Sequence, residues 1–241
     1  MSDSDTPTAL AKEHFGQEIL AEAKQRQAIH RHSDARLVLY VGGMMREDAF
    51  EGQARFARGD FVFRPAYFAH ANVADADGSK YKRVPVSEIA VRRWVAKHGW
   101  CASCGHVDPD RLPHGDEILA ASRPQPYVPL PPTTVMDRAA ILLSDGAAPT
   151  AREVAARLNM EPYELTRRFT RMYGLSPSVY RRQACLQRAV RMLLERSAPL
   201  AQVATFAGYH DQSHLTVAFR RAFGLTPGAF AKHAVGVAPS S

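Results

Sequence analysis

No apolar run occurs in Met1 to Gly16, and the 241 residues include only three cysteines. The first absence predicts neither a secretory signal nor a membrane span there. The second, an odd and small count, argues against a disulfide framework and fits a reducing compartment. Together they predict a cytoplasmic chain with no membrane partner. Basic excess is missing from the front half: residues 1–132 carry 17 Lys plus Arg against 17 Asp plus Glu, whereas residues 133–241 carry 14 against 7. The whole formal charge of +7 is therefore C-terminal, where it suggests a polyanionic partner or a solvated basic face.

What the chain does contain is an internal repeat at an offset of 50 residues. Aligned without gaps, Pro162 to Pro177 and Gln212 to Pro227 superpose Leu165 on Leu215, Thr166 on Thr216, Phe169 on Phe219 and Arg171 on Arg221. Gly174, Leu175 and Pro177 fall on Gly224, Leu225 and Pro227. Each copy reads as a helix, a turn and a second helix. The first helices are Ala-rich, in Val154-Ala155-Ala156 and Val203-Ala204-Thr205, so the second can pack closely across them. Leu165 with Phe169, and Leu215 with Phe219, have the four-residue spacing that pins a helix to a core. The positions between them must then face out.

Helix boundaries are marked in the sequence. Thr150 and Glu153 form a capping box, while Ser176-Pro177 and Thr226-Pro227 each set a capping hydroxyl before a first-turn proline. Gly174 and Gly224 stand where a left-handed C-cap would end each second helix. Helical periodicity begins with Met136, Ala139, Ala140, Leu142 and Leu143, and Val179 to Glu195 predicts one long helix between the repeats.

These words resemble the DNA-binding domain of the AraC/XylS family of bacterial transcription regulators. The matching strings are Arg152-Glu153-Val154-Ala155 with Leu165-Thr166-Arg167-Arg168-Phe169, then Gly208-Tyr209-His210-Asp211-Gln212-Ser213-His214-Leu215 with Phe219-Arg220-Arg221-Ala222-Phe223-Gly224-Leu225-Thr226-Pro227. The resemblance implies a seven-helix domain in which two helix-turn-helix units enter successive major-groove segments of double-stranded DNA. Carried over by position, it assigns base contacts to Tyr163, Thr166 and Arg167 and to Gln212, Ser213, His214 and Thr216. It assigns phosphate contacts to Arg168, Arg171, Arg220 and Arg221. Where the family commonly has Arg after the second Leu-Thr, this chain has Val217, so the first unit is expected to carry most of the sequence choice.

Upstream, Arg36 to Val41 and Asp60 to Phe63 read as short strands bounded by Gly42-Gly43, Gly59 and Pro65, Ala9 to Gln27 reads as helix, and Ser87 to Lys97 reads as helix. His30-x-His32, Gly43, Gly59-Asp60, Pro65 and His70 resemble the two motifs of a cupin barrel over roughly residues 28–85, with Tyr67 in place of the usual glycine. In such regulators this domain commonly binds a small effector and forms a homodimer. Metal-binding cupins add a glutamate to three histidines; here that position is Arg36. His30, His32, Arg36 and His70 are therefore the effector-binding candidates. No cofactor is assigned, although the three imidazoles are a candidate set for a divalent metal.

The fold class expected is mixed and two-domain: a small cupin-like antiparallel β domain with flanking helices at 1–122, a proline-rich linker at 123–134, and an all-α DNA-binding domain at 135–235. The expected function is a non-enzymatic, sequence-specific regulator answering a small effector, as an activator that would contact RNA polymerase or as a repressor. Two other readings stay open. One is a thiol or metal sensor built on Cys101 and Cys104 with His106; the other is a cupin metalloenzyme fused to a DNA-binding module.

Overall fold

The computed structural model describes residues 18–111, 114–122, 124, 127–128, 132, 134–146 and 149–235. Most of the expected linker and the first half of the expected helix at Ala9 to Gln27 lie outside the described residues.

A seven-stranded antiparallel sheet forms the front half: β1 (Glu18–Ala21), β2 (Arg26–His30), β3 (Arg36–Ala49), β4 (Gly52–Phe56), β5 (Asp60–Arg64), β6 (His70–Val84) and β7 (Ser103–His106). Strands run in the order β1-β6-β3-β5-β7, with β2 also on β6 and β4 also on β3. Residues 18–21 and 26–27, expected as helix, are strand. Both segments pair with β6, whose length offers partners along two stretches, and ladder bonds override the local helical pattern.

Gly42-Gly43 also differs from expectation. Rather than ending a short strand, the pair lies inside the 14-residue β3, where the register against β6 slips twice. Gly43 has φ +66, and a Cβ there would come 2.2 Å from the Gly78 carbonyl oxygen, so only glycine fits this bulge.

Side-chain alternation splits the sheet into two cores. Leu37, Leu39, Phe61 and Phe63 face Trp94 of α1 (Glu88–His98) and Ile118 and Leu119 of α2 (Gly115–Ala121). Val38, Tyr40, Met45, Phe56, Val62 and Ala74 pack on the other face.

The remaining helices are α3 (Val135–Ser144), α4 (Ala151–Arg157), α5 (Pro162–Tyr173), α6 (Pro177–Leu194), α7 (Leu200–Phe206), α8 (Gln212–Phe223) and α9 (Pro227–Val235). The capping box at Thr150 and Glu153 is present, Ser176 caps α6, and Thr226 accepts from the Ala229 amide. Gly174 and Gly224 end α5 and α8 with φ of 71 and 70. Leu165, Phe169, Leu215 and Phe219 are all fully buried. The two units thus repeat in three dimensions as they do in sequence. Helix α6 joins them, giving Tyr180 to the core of the first unit and Leu186, Ala189, Val190 and Leu193 to that of the second.

The second core continues into the sheet domain through Phe68, Trp100, Ala102 and Tyr127. Polar contacts on α6 reinforce it. Arg31 donates to the Gln183 carbonyl at 2.8 Å, and Arg191 pairs with Glu51 in the β3–β4 turn. Gln187 accepts from the Ala69 amide at 3.2 Å and donates to Glu51 at 3.2 Å.

Candidate functional site

Two regions combine chemistry with geometry. The first is the outer surface of α5 and α8. In α5, Tyr163, Thr166, Arg167, Arg168, Thr170 and Arg171 are exposed, opposite the buried Leu165 and Phe169. In α8, Gln212, Ser213, His214, Val217, Arg220 and Arg221 are exposed and Thr216 is half-buried. Both threonines spend their hydroxyl proton on the helix: Thr166 donates to the Pro162 carbonyl at 2.9 Å and Thr216 to the Gln212 carbonyl at 2.8 Å. They therefore offer a methyl and an acceptor rather than a donor.

The arginines are not equivalent. Arg168 pairs with Glu164 at 3.1 Å, whereas Arg167, Arg171, Arg220 and Arg221 have no ion pair among the described residues. Tyr163 leaves 79% of its surface exposed, unusual for so large an aromatic side chain. Asp211 accepts from the His214 amide at 2.7 Å, and this bond, with His210 beside it, lowers its carboxyl pKa. A cleft of about 420 Å³ runs between α6 and α8, bordered by Arg181, Arg182, Tyr209, His214, Val217 and Arg221. Sequence reasoning missed Arg181 and Arg182, whose place on the long helix conceals that they border this cleft.

The second region is a cavity of about 60 Å³ on the inner face of the sheet, lined by Gln27, His30, His32, Arg36, Val38, Tyr40, Met45, Arg64, His70, Asn72, Tyr81 and Arg83. All four effector-binding candidates meet here. The rings of His30 and His70 are 4.4 Å apart, those of His30 and His32 4.8 Å, and those of His32 and His70 5.3 Å. Their ligand nitrogens lie within 4.8 Å of one another.

Burial lowers the pKa of all three. It is the largest cause for His32, which is pushed down to about 2 with Arg36 adding to the effect. His70 is held well below the usual range by burial and then by Arg64, and His30 is lowered by burial against the opposing Ala28 carbonyl. At neutral pH the imidazoles are uncharged. Arg36 forms an ion pair with Asp34 at 3.1 Å.

Beneath the cavity Glu47 is wholly buried, binding Arg64 through Nε at 2.8 Å and through a second guanidinium nitrogen. The Tyr127 hydroxyl also donates to Glu47. This buried carboxylate is thus fully engaged. Sequence reasoning did not single out Glu47, Arg64, Tyr127 or Arg83; a charged residue inside a strand pattern at positions 47 and 64 was the available signal.

The thiol candidates do not converge. Cys101 precedes β7 and faces the His98 carbonyl at 3.4 Å, while Cys104 packs against the inner core. His106 turns to Asp60 at 2.9 Å. Among the described residues these three do not form a metal-binding group. Burial raises both thiol pKa values, which suppresses thiolate chemistry at neutral pH. No helix among the described residues is long and apolar enough to cross a membrane.

The family described as a helix-turn-helix domain matches residues 154–233, from α4 into α9. No curated protein matches the chain. Among solved structures, the C-terminal domain of AraT, a response regulator from Geobacillus stearothermophilus, is 24% identical over 42% of this chain and 86% of its own, with a TM-score of 0.40. The DNA-binding domain of AdpA, in complex with a target DNA, is 24% identical over 44% and 95%, with a TM-score of 0.39. ToxT from Vibrio cholerae is 8% identical over 89% and 97%, with a TM-score of 0.40. Residues 154–233 of this chain match a helix-turn-helix domain of the AraC type.

Proposed function

We propose that the chain regulates transcription by reading DNA with α5 and α8, and that a small effector in the sheet cavity biases how the two halves dock. One observation carries the DNA reading. Two helices related by 50 residues bury the same Leu and Phe pair and expose the opposite face, where Arg167, Arg171, Arg220 and Arg221 have no ion pair among the described residues. Free guanidiniums suit guanine edges and phosphates. Arg168, already paired with Glu164, keeps a phosphate role only if DNA displaces that carboxylate.

Support for the effector reading lies in how the cavity joins α6. His30 and His32 line it, and the intervening Arg31 binds Gln183; His70 lines it, and the preceding Ala69 amide binds Gln187. A ligand that moves any of the three histidines displaces a neighbour bonded to the central helix, the Arg31 guanidinium or the Ala69 amide.

A footprint on the DNA upstream of the chain's own coding region, at several salt concentrations, tests the DNA reading. Expected are two protected segments about one helical turn apart, with binding that weakens steeply as salt rises. Protection that does not change between wild type and an Arg167→Ala, Arg220→Ala double variant would remove it.

A further inference from the structure

The sheet cavity stands where a cupin would hold a metal, and its residues do not fit one. Three imidazoles are present, but no carboxylate lines the space, and Arg36 occupies the glutamate position. Arg64 and Arg83 line it as well. The buried carboxylate below, Glu47, is already bound by Arg64 and Tyr127. A divalent ion entering would meet three guanidiniums and no anionic ligand.

We propose that this cavity takes a small oxyanion, of the size of acetate or inorganic phosphate, held by Arg36 and Arg83 against the histidine wall. The proposal names the ligand class for the effector reading above and rests on it for its regulatory meaning. Size supports it. One water needs roughly 10–15 Å³ of such volume, so about 60 Å³ seats on the order of four or five heavy atoms. Acetate and bicarbonate have four, and phosphate has five.

Charge supports it too. Arg64 is neutralised by Glu47, and Arg36 shares its charge with Asp34, whose side chain is 49% exposed. Arg83 has no hydrogen bond or ion pair among the described residues, although it lines the cavity. Arg83 is therefore free for a ligand, and Arg36, whose fork binds both oxygens of the exposed Asp34 at 3.1 and 3.2 Å, joins it by exchanging that carboxylate for the paired oxygens of the ligand. The uncharged imidazoles complete a wall that adds no negative charge.

The test uses the full chain at constant ionic strength, titrated with sodium acetate or sodium phosphate against sodium chloride and followed by thermal unfolding and calorimetry. A saturable rise in Tm with one oxyanion and not with chloride is expected. Arg83→Gln, at a half-buried position, should weaken that response about tenfold, and Arg36→Gln should do the same. A response identical in both variants and wild type overturns the proposal. So does stoichiometric zinc or iron in the purified protein that is lost in His70→Gln. Band shifts with and without the oxyanion separate this site from its regulatory meaning: saturation that leaves DNA affinity unchanged sinks the effector reading alone. Loss of the site in these assays leaves the DNA-binding reading untouched.

Discussion

The ring of Tyr67 lies 4.8 Å from that of Phe230, and the backbone that carries Tyr67 is left-handed, with φ +65. Its ring also lies 5.2 Å from that of Phe223. Tyr67 stands where the cupin resemblance expects glycine. The left-handed turn is retained, and the side chain that strains it reaches into the aromatic core formed by α8 and α9.

Tyr67→Gly should therefore have two opposed effects. It relieves a backbone strain of about 1 kcal/mol or more, and it removes ring contacts worth about 0.5–1.5 kcal/mol per pair beyond their area. The sheet domain should hold while its docking on the helices loosens. Calorimetry should resolve two unfolding transitions in Tyr67→Gly and one in Tyr67→Phe, which keeps the ring. A single, unshifted transition in both would show that Tyr67 does not join the domains.

Arg167 and Val217 occupy equivalent positions in α5 and α8, and both are exposed. A free guanidinium can take a base bidentately, whereas valine can only meet a thymine methyl. Arg167→Ala should weaken specific binding by about 1–3 kcal/mol and relax choice at one base position. Val217→Ala should change affinity by well under 1 kcal/mol. Competition band shifts against a randomised site measure both; equal losses would show that the two units read DNA alike.

The buried pair of Arg64 and Glu47 gives a third expectation. Glu47→Gln leaves the Arg64 guanidinium in the core without its charge partner, which should cost about 3–5 kcal/mol. Tyr127→Phe removes one hydrogen bond to the same carboxylate and should cost about 1 kcal/mol. Urea unfolding should rank the two variants in that order. The milder variant has a further consequence, because Tyr127 lies in the proline-rich stretch and Val128 bridges to Gln53 of β4. Cleavage by a protease around residues 123–134 should speed up in Tyr127→Phe.

Much of the helical half was legible because its signals are local. Capping hydroxyls, cap glycines and a four-residue apolar spacing each act within one or two turns, and all of those at Thr150, Ser176, Gly174 and Gly224 appear in the structure. The sheet was less legible because its determinants are distant. Residues 18–21 become a strand only through β6, some 60 residues on. Gly42-Gly43 looked like a turn because a bulge and a turn both demand positive φ. In the cavity, His30, His32, Arg36 and His70 were visible by spacing. Arg83 was not, since it is brought beside Val38 by pairing across the β3–β6 ladder.

Two of the three cavity histidines also fix a pH dependence of stability. His32 and His70 are uncharged in the folded chain because burial, with Arg36 and Arg64 nearby, holds them far below 6.5, whereas the unfolded chain takes up protons on both near that value. The unfolded state then binds more protons as pH falls, so their contribution is intact above pH 6.5 and shrinks below it, by about 1.4 kcal/mol per unit for each histidine. Between pH 7.5 and pH 5.5 the pair should remove roughly 2–3 kcal/mol of unfolding free energy. Urea titrations in a buffer without oxyanions should show this slope, and His70→Gln should roughly halve it. A flat profile across that range would mean that the histidines take up protons without unfolding the sheet around them.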